Sequence, residues 1–292
     1  MGDSELGAFL RSRRAAVRPE DVGLPAGRRR VNGLRREELA SLAGVSASYY
    51  TRLEQGHGGH ASASVLDAVA RVLGLDDDER AHLRRLAGPA PRAVAAPGAE
   101  EVRPGLRSLV HAMGVPAAVL GRSTDMLAWN RLAHAVFAAH VPFEAPEAAA
   151  TRPNWARMLF LDARSRELFV DWPGTARDLV GRLRVTASRH PRDARLAAHV
   201  DGLRAESAEF DRLWCAHPVQ EAARGTARLR HPLVGELVLF DEVLRAPGAD
   251  DQLLVTFHAE PGSPSEAALR RLAEISPHST HPARTSHKAR RG

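Results

Sequence analysis

The sequence predicts a mainly α-helical N-terminal domain of five helices, followed by an α+β domain in which helices pack on one face of an antiparallel sheet. Apolar residues recur at helical spacing through residues 5–87. Residues 88–105 contain four prolines, three glycines and no apolar periodicity, which indicates a linker. Extended runs, a helical middle and further extended runs then predict the second domain over residues 106–277, with a disordered basic tail at 278–292.

The first helix is predicted from Glu5 to Val17, where Leu6, Phe9 and Leu10 form an apolar stripe. Its arginines are expected on the outer face: Arg11, Arg13, Arg14 and Arg18. The next segment, PEDVGLPAGRRRVNG, has too many prolines and glycines for a regular helix. Its cluster of three arginines predicts either a phosphate clamp or a solvated loop whose charge is incidental.

Two short helices joined by a glycine follow, and this pattern predicts a helix-turn-helix. The first, from Arg36 to Ala43, has apolar residues at spacings of three and four, namely Leu39, Leu42 and Ala43. Gly44 can adopt the left-handed conformation that ends a helix, and Ser46 can cap the next helix. Tyr50 and Leu53 are expected to face inward and to hold the second helix across the first.

The outward positions of that second helix are the candidate DNA base readers: Ala47, Ser48, Tyr49 and Arg52. Arg52 is the best suited, because its planar guanidinium can bond both acceptors of a guanine, whereas Ala47 could contact only a thymine methyl. Contacts with the backbone of double-stranded DNA are expected from Arg28, Arg29, Arg30, Arg35 and Arg36. The alternative is a helical pair that packs into a core and contacts no nucleic acid.

Two more helices complete the first domain, one from Ser64 to Leu73 and one over DDDERAHLRRLAG. In the second domain, short strands are expected at Ala117 to Leu120 and Met126 to Trp129, with a helix from Asn130. Residues 154–217 are helical in pattern. Three strands and a helix then complete the domain, at Thr226 to His231, Gly235 to Leu244, Gln252 to His258 and Ser265 to Ala273.

Composition favours a cytoplasmic protein. The 292 residues suffice for two domains, 44% are hydrophobic, and no apolar run is long enough for a membrane span or arranged as a signal peptide. The single cysteine, Cys215, excludes an internal disulfide and is interpreted as core packing. Of 41 basic residues only Lys288 is a lysine, which indicates a GC-rich, actinomycete-like coding sequence.

Enzymatic function is not expected. The sequence has no phosphate-binding glycine loop, no GxGxxG and no GxSxG. The paired histidines, His57 with His60 and His278 with His281, are interpreted as surface residues without a metal. The carboxylates Asp162, Asp171, Asp241 and Glu242 are interpreted as solvated. No catalytic residues, metal or cofactor are therefore predicted.

Residues 34–56, LRREELASLAGVSASYYTRLEQG, resemble the Cro/C1-type (XRE) helix-turn-helix. The resemblance implies that Ala47, Ser48 and Arg52 approach base edges. Arg36 departs from that family, which usually has a glutamine there that contacts the DNA backbone. An arginine could hold a phosphate through a charge-assisted contact instead.

The second half resembles the ligand-binding domain of MmyB-like transcription regulators, which has a PAS-like fold. The resemblance is carried by LGRSTDMLAWN, LFLDARSRELFVDW, AEFDRLWCAH, RLRHPLVGEL and TFHAEPGSPSEAALRRLA. Ala61 departs from the family's usual proline, and Phe240 and Asp241 stand where Asp-Tyr is more usual. The second departure could change the pocket.

The resemblance implies a small apolar, fatty-acid-like ligand between sheet and helices, with Arg228, Arg230 or His231 near an acidic head group. The other candidate pocket residues are aromatic: Trp129, Trp155, Phe160, Trp172, Trp214 and Phe257. Most of these are expected to be core. The predicted function is a sequence-specific DNA-binding regulator that senses this ligand; the alternative is that the second domain only dimerises or binds another protein.

A homodimer is expected, because one short recognition helix reads too few base pairs to specify one site in a genome. The linker is expected to join the domains too loosely for a rigid connection, so a signal would pass through the dimer arrangement.

Overall fold

The computed structural model describes residues 4–25, 33–57, 61–88, 100–218, 224–245 and 252–275. Three features of the sequence lie outside these ranges. They are the arginine cluster of the loop, most of the predicted linker, and the predicted basic tail 278–292.

Five α-helices form the N-terminal domain, as predicted. They are α1 (Glu5–Ala16), α2 (Arg36–Leu42), α3 (Ala47–Glu54), α4 (Ala63–Val72) and α5 (Asp77–Ala87), with a 3-10 helix at Pro19–Val22 after α1. Side chains that accept from free amides cap four of the five helices, namely Ser4, Ser46, Ser62 and Asp76. The helices enclose one core, in which Phe9, Leu39, Tyr50 and Val69 are fully buried.

Helix α1 packs closely on α3 because residue 7 has no side chain. A Cβ at Gly7 would collide with the carbonyl oxygen of Glu54. Two expectations for this region were wrong. Arg13 and Arg14 are largely buried and ion-paired, so they do not lie on an outer face. Leu42 is 40% exposed, because the buried face of α2 is centred on Leu39, Ala40 and Ala43.

The second domain begins with α6 (Pro104–Ala112), two residues before the predicted boundary, and Val102 before it is already buried. Two strands follow, β1 (Ala117–Leu120) and β2 (Met126–Trp129), with the predicted bounds. The helical middle comprises α7 (Arg131–Phe137), α8 (Trp155–Leu161), α9 (Ala163–Leu168), α10 (Trp172–Arg189), α11 (Ala194–Glu206) and α12 (Ala208–Cys215). The last elements are β3 (Arg224–His231), β4 (Gly235–Arg245), β5 (Leu253–His258) and α13 (Pro264–Ile275).

The five strands form one antiparallel sheet in the order β2-β1-β5-β4-β3. This arrangement of sheet and helices confirms the α+β, PAS-like fold class. Its main core lies between one sheet face and the helices that follow β2. Helix α6 is the exception, since its Leu106 and Val110 pack on the opposite face against Val119, Ala128 and Leu254. The strand β1 is therefore covered on both sides.

Two further observations concern Cys215 and membrane-spanning helices. Cys215 is exposed at the end of α12, so its interpretation as core packing was wrong. No helix in the described parts of the chain has the length and apolar character that a membrane crossing requires.

Candidate nucleic-acid interface and ligand cavity

The turn between α2 and α3 has the predicted geometry. Gly44 adopts φ 69°, in the left-handed region, and Ser46 Oγ accepts from the amide of Tyr49 at 3.2 Å. Tyr50 and Leu53 are buried against α1 and α2. The helix-turn-helix is therefore held rigidly by its own core.

The opposite side of α3 faces solvent. Ala47, Ser48 and Arg52 are exposed, as predicted for residues that reach base edges. Tyr49 is half-buried and packs partly on the domain core, so less of it is available for contact. The exposed face therefore offers one methyl, one hydroxyl and one guanidinium to a DNA groove.

Glu54, 2% exposed, joins α1, α2 and α3 behind this face. Its Oε1 accepts from Arg14 Nε at 2.7 Å, and its Oε2 accepts from Arg36 Nε at 2.6 Å. Burial alone would raise the pKa of Glu54, but the hydrogen bonds from the two arginines lower it. Because the charged triad fixes Arg36, this side chain has a structural role that the sequence did not reveal.

The expected backbone contacts stay predictions. Arg35 and Arg36 are exposed or half-exposed at the start of α2. Arg28, Arg29 and Arg30 lie outside the described residues. Arg36 lies beside α3, to which it is joined through Glu54.

A cavity of about 120 Å³ lies between the sheet and the helices of the second domain. Three of the predicted pocket residues line it: Trp129, Trp155 and Phe257. Phe137 and Phe169 complete an aromatic cluster there, with ring centroids 4.7 Å apart for Phe137 and Phe257 and 6.0 Å for Trp155 and Phe169. The cavity wall is thus mainly apolar.

Three other predicted aromatics lie elsewhere. Phe160 packs edge-on against Trp172 at 5.5 Å and against Phe210 at 5.1 Å, inside the helical core. Trp214 stacks on Phe210 and contacts Arg184. These aromatics fill space between helices, which sequence alone could not distinguish from lining a cavity.

The basic residues predicted at the pocket rim are not at this cavity. Arg228 and Arg230 are exposed on β3, whose neighbouring residue Leu229 faces the core, so the strand alternation turns both arginines outward. His231 is buried, and its Nε2 lies 3.1 Å from the carbonyl oxygen of Ala135. Burial lowers the pKa of His231, so it stays neutral.

The charged residues at the cavity are instead Asp178 and Arg182 of α10 and Asp241 of β4. The interpretation of Asp241 as solvated was therefore wrong. A signal existed, because Leu237 and Leu239 occupy the inward positions of β4 and residue 241 follows at the same period of two. Asp178 and Arg182 lie four residues apart on one helical face, a spacing that alone gives no indication of a cavity.

Helix α10 reaches the N-terminal domain directly after its cavity-lining residues. Val185 is buried in the core of that domain. Arg184, 1% exposed, donates to the carbonyl of Trp214, and its Nη1 lies 3.6 Å from Oε1 of Glu5. Burial lowers the pKa of Arg184 to about 10, so the side chain is still charged at neutral pH.

The end of α12 continues this contact. Ser12 donates to the carbonyl of Ala216 at 3.1 Å, and Arg13 donates to the carbonyl of His217 at 2.5 Å. The two domains are thus packed against each other through α1, α5, α10 and α12. The expectation that they are joined only loosely was wrong, because it considered the linker and not the surfaces on either side of it.

His82 is fully buried at this interface, edge-on to Phe9 with ring centroids 5.1 Å apart. Burial, and after it the positive charges of Arg85, Arg184 and Arg13, lower its pKa to about 3. The pKa of His217 is likewise lowered to about 3, first by burial and then by the positive charges of Arg184, Arg13 and Arg11. Both imidazoles are therefore neutral, and acid should weaken the contact.

A helix-turn-helix with an exposed recognition helix, packed against a sheet domain that contains a cavity, defines a two-domain DNA-binding regulator. Comparison with known families agrees. The helix-turn-helix domain family matches residues 5–83, and the MmyB-like transcription regulator ligand binding domain matches residues 102–272. The chain belongs to the MmyB-like transcription regulators. No curated protein matches it.

Proposed function

We propose that this protein is a sequence-specific transcription regulator whose second domain binds a small, largely apolar ligand and thereby changes operator affinity. The observation that carries the proposal is the course of α10. One stretch of this helix lines the cavity through Asp178 and Arg182, and the next residues, Arg184 and Val185, contact the DNA-binding domain. In this proposal the protein catalyses no reaction and acts on DNA in the cytoplasm.

A ligand can shift DNA binding only through different affinities for the DNA-competent and incompetent arrangements. Insertion between the sheet and α10 would change the position of α10 and therefore the contact of Arg184 with Glu5 and Trp214. A typical coupling of about 1–3 kcal/mol corresponds to roughly a 5- to 150-fold change in operator affinity. Because the two domains are in direct contact, the effect of the ligand can pass from the cavity to the DNA-binding domain within one protomer.

The test combines identification and function. Mass spectrometry of small molecules extracted from the purified full chain identifies the ligand, and operator affinity is then measured before and after stripping and reloading. Fatty acids, the class implied by the family resemblance, are included among the compounds. The Arg184→Met variant should keep ligand affinity and lose most of the effect on operator binding.

A matched pair of variants controls for damage to the fold. Ala118→Phe fills the cavity from β1, whereas Val238→Phe places a phenylalanine at an exposed position of β4. Only the first should abolish ligand binding. If a compound binds tightly and leaves operator affinity unchanged, the sensor proposal fails and the second domain serves as a dimerisation or protein-interaction module.

We also propose a homodimer on DNA, because one recognition helix of eight residues, α3, contacts too few base pairs. Its operator is an inverted repeat with half-sites about one helical turn, roughly 34 Å, apart. The mass of the complex on DNA and a footprint measure this directly. A monomer that protects a single half-site would contradict it.

A further inference from the structure

The polar end of the cavity carries more negative than positive charge. Among the described residues that line it, the ionisable ones are Asp178, Asp241 and Arg182. Two carboxylates face one guanidinium, so the lining has a net charge of one negative unit when all three are ionised. The rest of the wall is apolar apart from two threonines and a glycine.

Asp241 is held in place by the sheet. It lies directly across from Gly225 in β3 and Phe257 in β5. The amide of Gly225 donates to its carboxylate, and a Cβ at residue 225 would lie 2.7 Å from Oδ1. The missing side chain at Gly225 therefore makes room for a carboxylate that faces the cavity beside an aromatic ring.

Arg182 does not neutralise both carboxylates. In the described part of the chain no hydrogen bond joins it to Asp178 or Asp241, and its attraction acts over a longer distance. Burial raises the pKa of both aspartates, and this effect exceeds the lowering by Arg182. The cavity therefore holds carboxylates whose charge Arg182 compensates incompletely, and a positive group would stabilise them.

A fatty-acid carboxylate would have the opposite effect. It would enter beside two acids, and its only counter-charge, Arg182, is already shared by them. A protonated amine would bring the lining to neutrality. The aromatic cluster adds to this preference, because ring faces attract cations, and Phe257 lies across from Asp241.

We propose that the cavity binds a hydrophobic amine, whose apolar body lies among Phe137, Trp155 and Phe169 and whose ammonium group pairs with Asp178 and Asp241. This rests on the proposed function, because it assigns a ligand class to the same cavity. The ligand is held by burial of its hydrocarbon part and oriented by its charge.

The test uses the purified full chain and three probes of equal length: octylamine, octanol and octanoate. In isothermal titration, octylamine should bind at least about 10-fold more tightly than octanol, because its ammonium group pairs with the two aspartates. Octanoate should bind most weakly, because its carboxylate is repelled by them. Asp241→Asn should reduce the advantage of octylamine and strengthen octanoate. A gain in octanoate affinity cannot come from misfolding. Glu236→Gln, at an exposed position of the same strand that does not line the cavity, is the control and should change neither affinity.

Binding of the amine should also release protons. Because burial raises the pKa of both aspartates, the amine must displace the protons that they take up as the pH falls, and its affinity should rise with pH. The other charged groups near the aspartates are Arg182, Arg177, Asp171 and Glu242. Titration in buffers of different ionisation enthalpy measures the protons released.

The outcomes separate the two proposals. If octanol and octanoate bind and octylamine binds no tighter, the cavity is a ligand site and the amine inference is overturned alone. An unchanged amine preference in Asp241→Asn overturns it as well. If no probe binds the wild-type chain and Ala118→Phe is indistinguishable from it in operator regulation, both proposals fail.

Discussion

Acid should destabilise the protein through His82 in particular. In the folded chain its pKa is lowered to about 3, whereas an exposed histidine has a pKa of 6.5. A group whose folded-state pKa is lowered takes up protons more readily when unfolded, so stability is intact above about pH 6.5 and declines as the pH falls below it. At about pH 5, which is 1.5 units below the unfolded-state pKa, the loss is about 2 kcal/mol from this residue.

The assay is urea unfolding at about pH 7.5 and about pH 5, followed by far-ultraviolet circular dichroism in wild type and His82→Leu. The wild type should lose about 2 kcal/mol more than the variant between these two conditions. Carboxylates and His217 titrate in both proteins, so the difference between the losses of wild type and His82→Leu reports on His82 alone. His57→Leu, at an exposed position, is the control. Equal losses in wild type and His82→Leu would refute the argument that burial keeps this imidazole neutral.

Three further predictions concern the DNA-binding domain. Arg52→Ala should cost about 1–3 kcal/mol on the operator and little on scrambled DNA, whereas Arg29→Ala should weaken both alike. Fluorescence anisotropy measures the affinities for the two duplexes. If both variants lost affinity evenly on operator and scrambled DNA, the assignment of Arg52 as a base reader would be wrong. Operator affinity should fall steeply between about 50 and 200 mM salt, and an unchanged constant would contradict the electrostatic argument. Glu54→Gln should lower the free energy of unfolding by roughly 3–5 kcal/mol, because two arginines lose a buried anionic partner; a change below about 1 kcal/mol in urea unfolding would show that the triad contributes little.

The sequence predicted the secondary structure well where local chemistry decides it. Gly44 and Ser46 specify the turn because only a glycine adopts its backbone conformation without strain and a serine caps the free amides. The bounds of β1 and β2 matched because their apolar runs are short and are separated by a polar turn. These features depend on neighbours in the chain.

Roles that depend on distant residues were beyond the sequence. The sequence offered Trp129 and Trp214 equally as candidate pocket residues, but only the packing placed the first at the cavity and the second against Arg184. Arginine is flexible and can reach a phosphate, a carboxylate or a carbonyl, so the pattern could not assign Arg13 and Arg36 to structural ion pairs.

The sequence by itself determined the two domains, the recognition helix and the order of strands and helices, because hydrophobic spacing, caps and turns act over a few residues. The tertiary structure alone decided that Asp178, Arg182 and Asp241 meet at one cavity and that α10 joins it to the DNA-binding domain. Residues 182 and 241 are far apart in the chain, and their proximity follows from the packing of a helix on a strand. Electrostatics depends on distance and burial, which only that packing fixes.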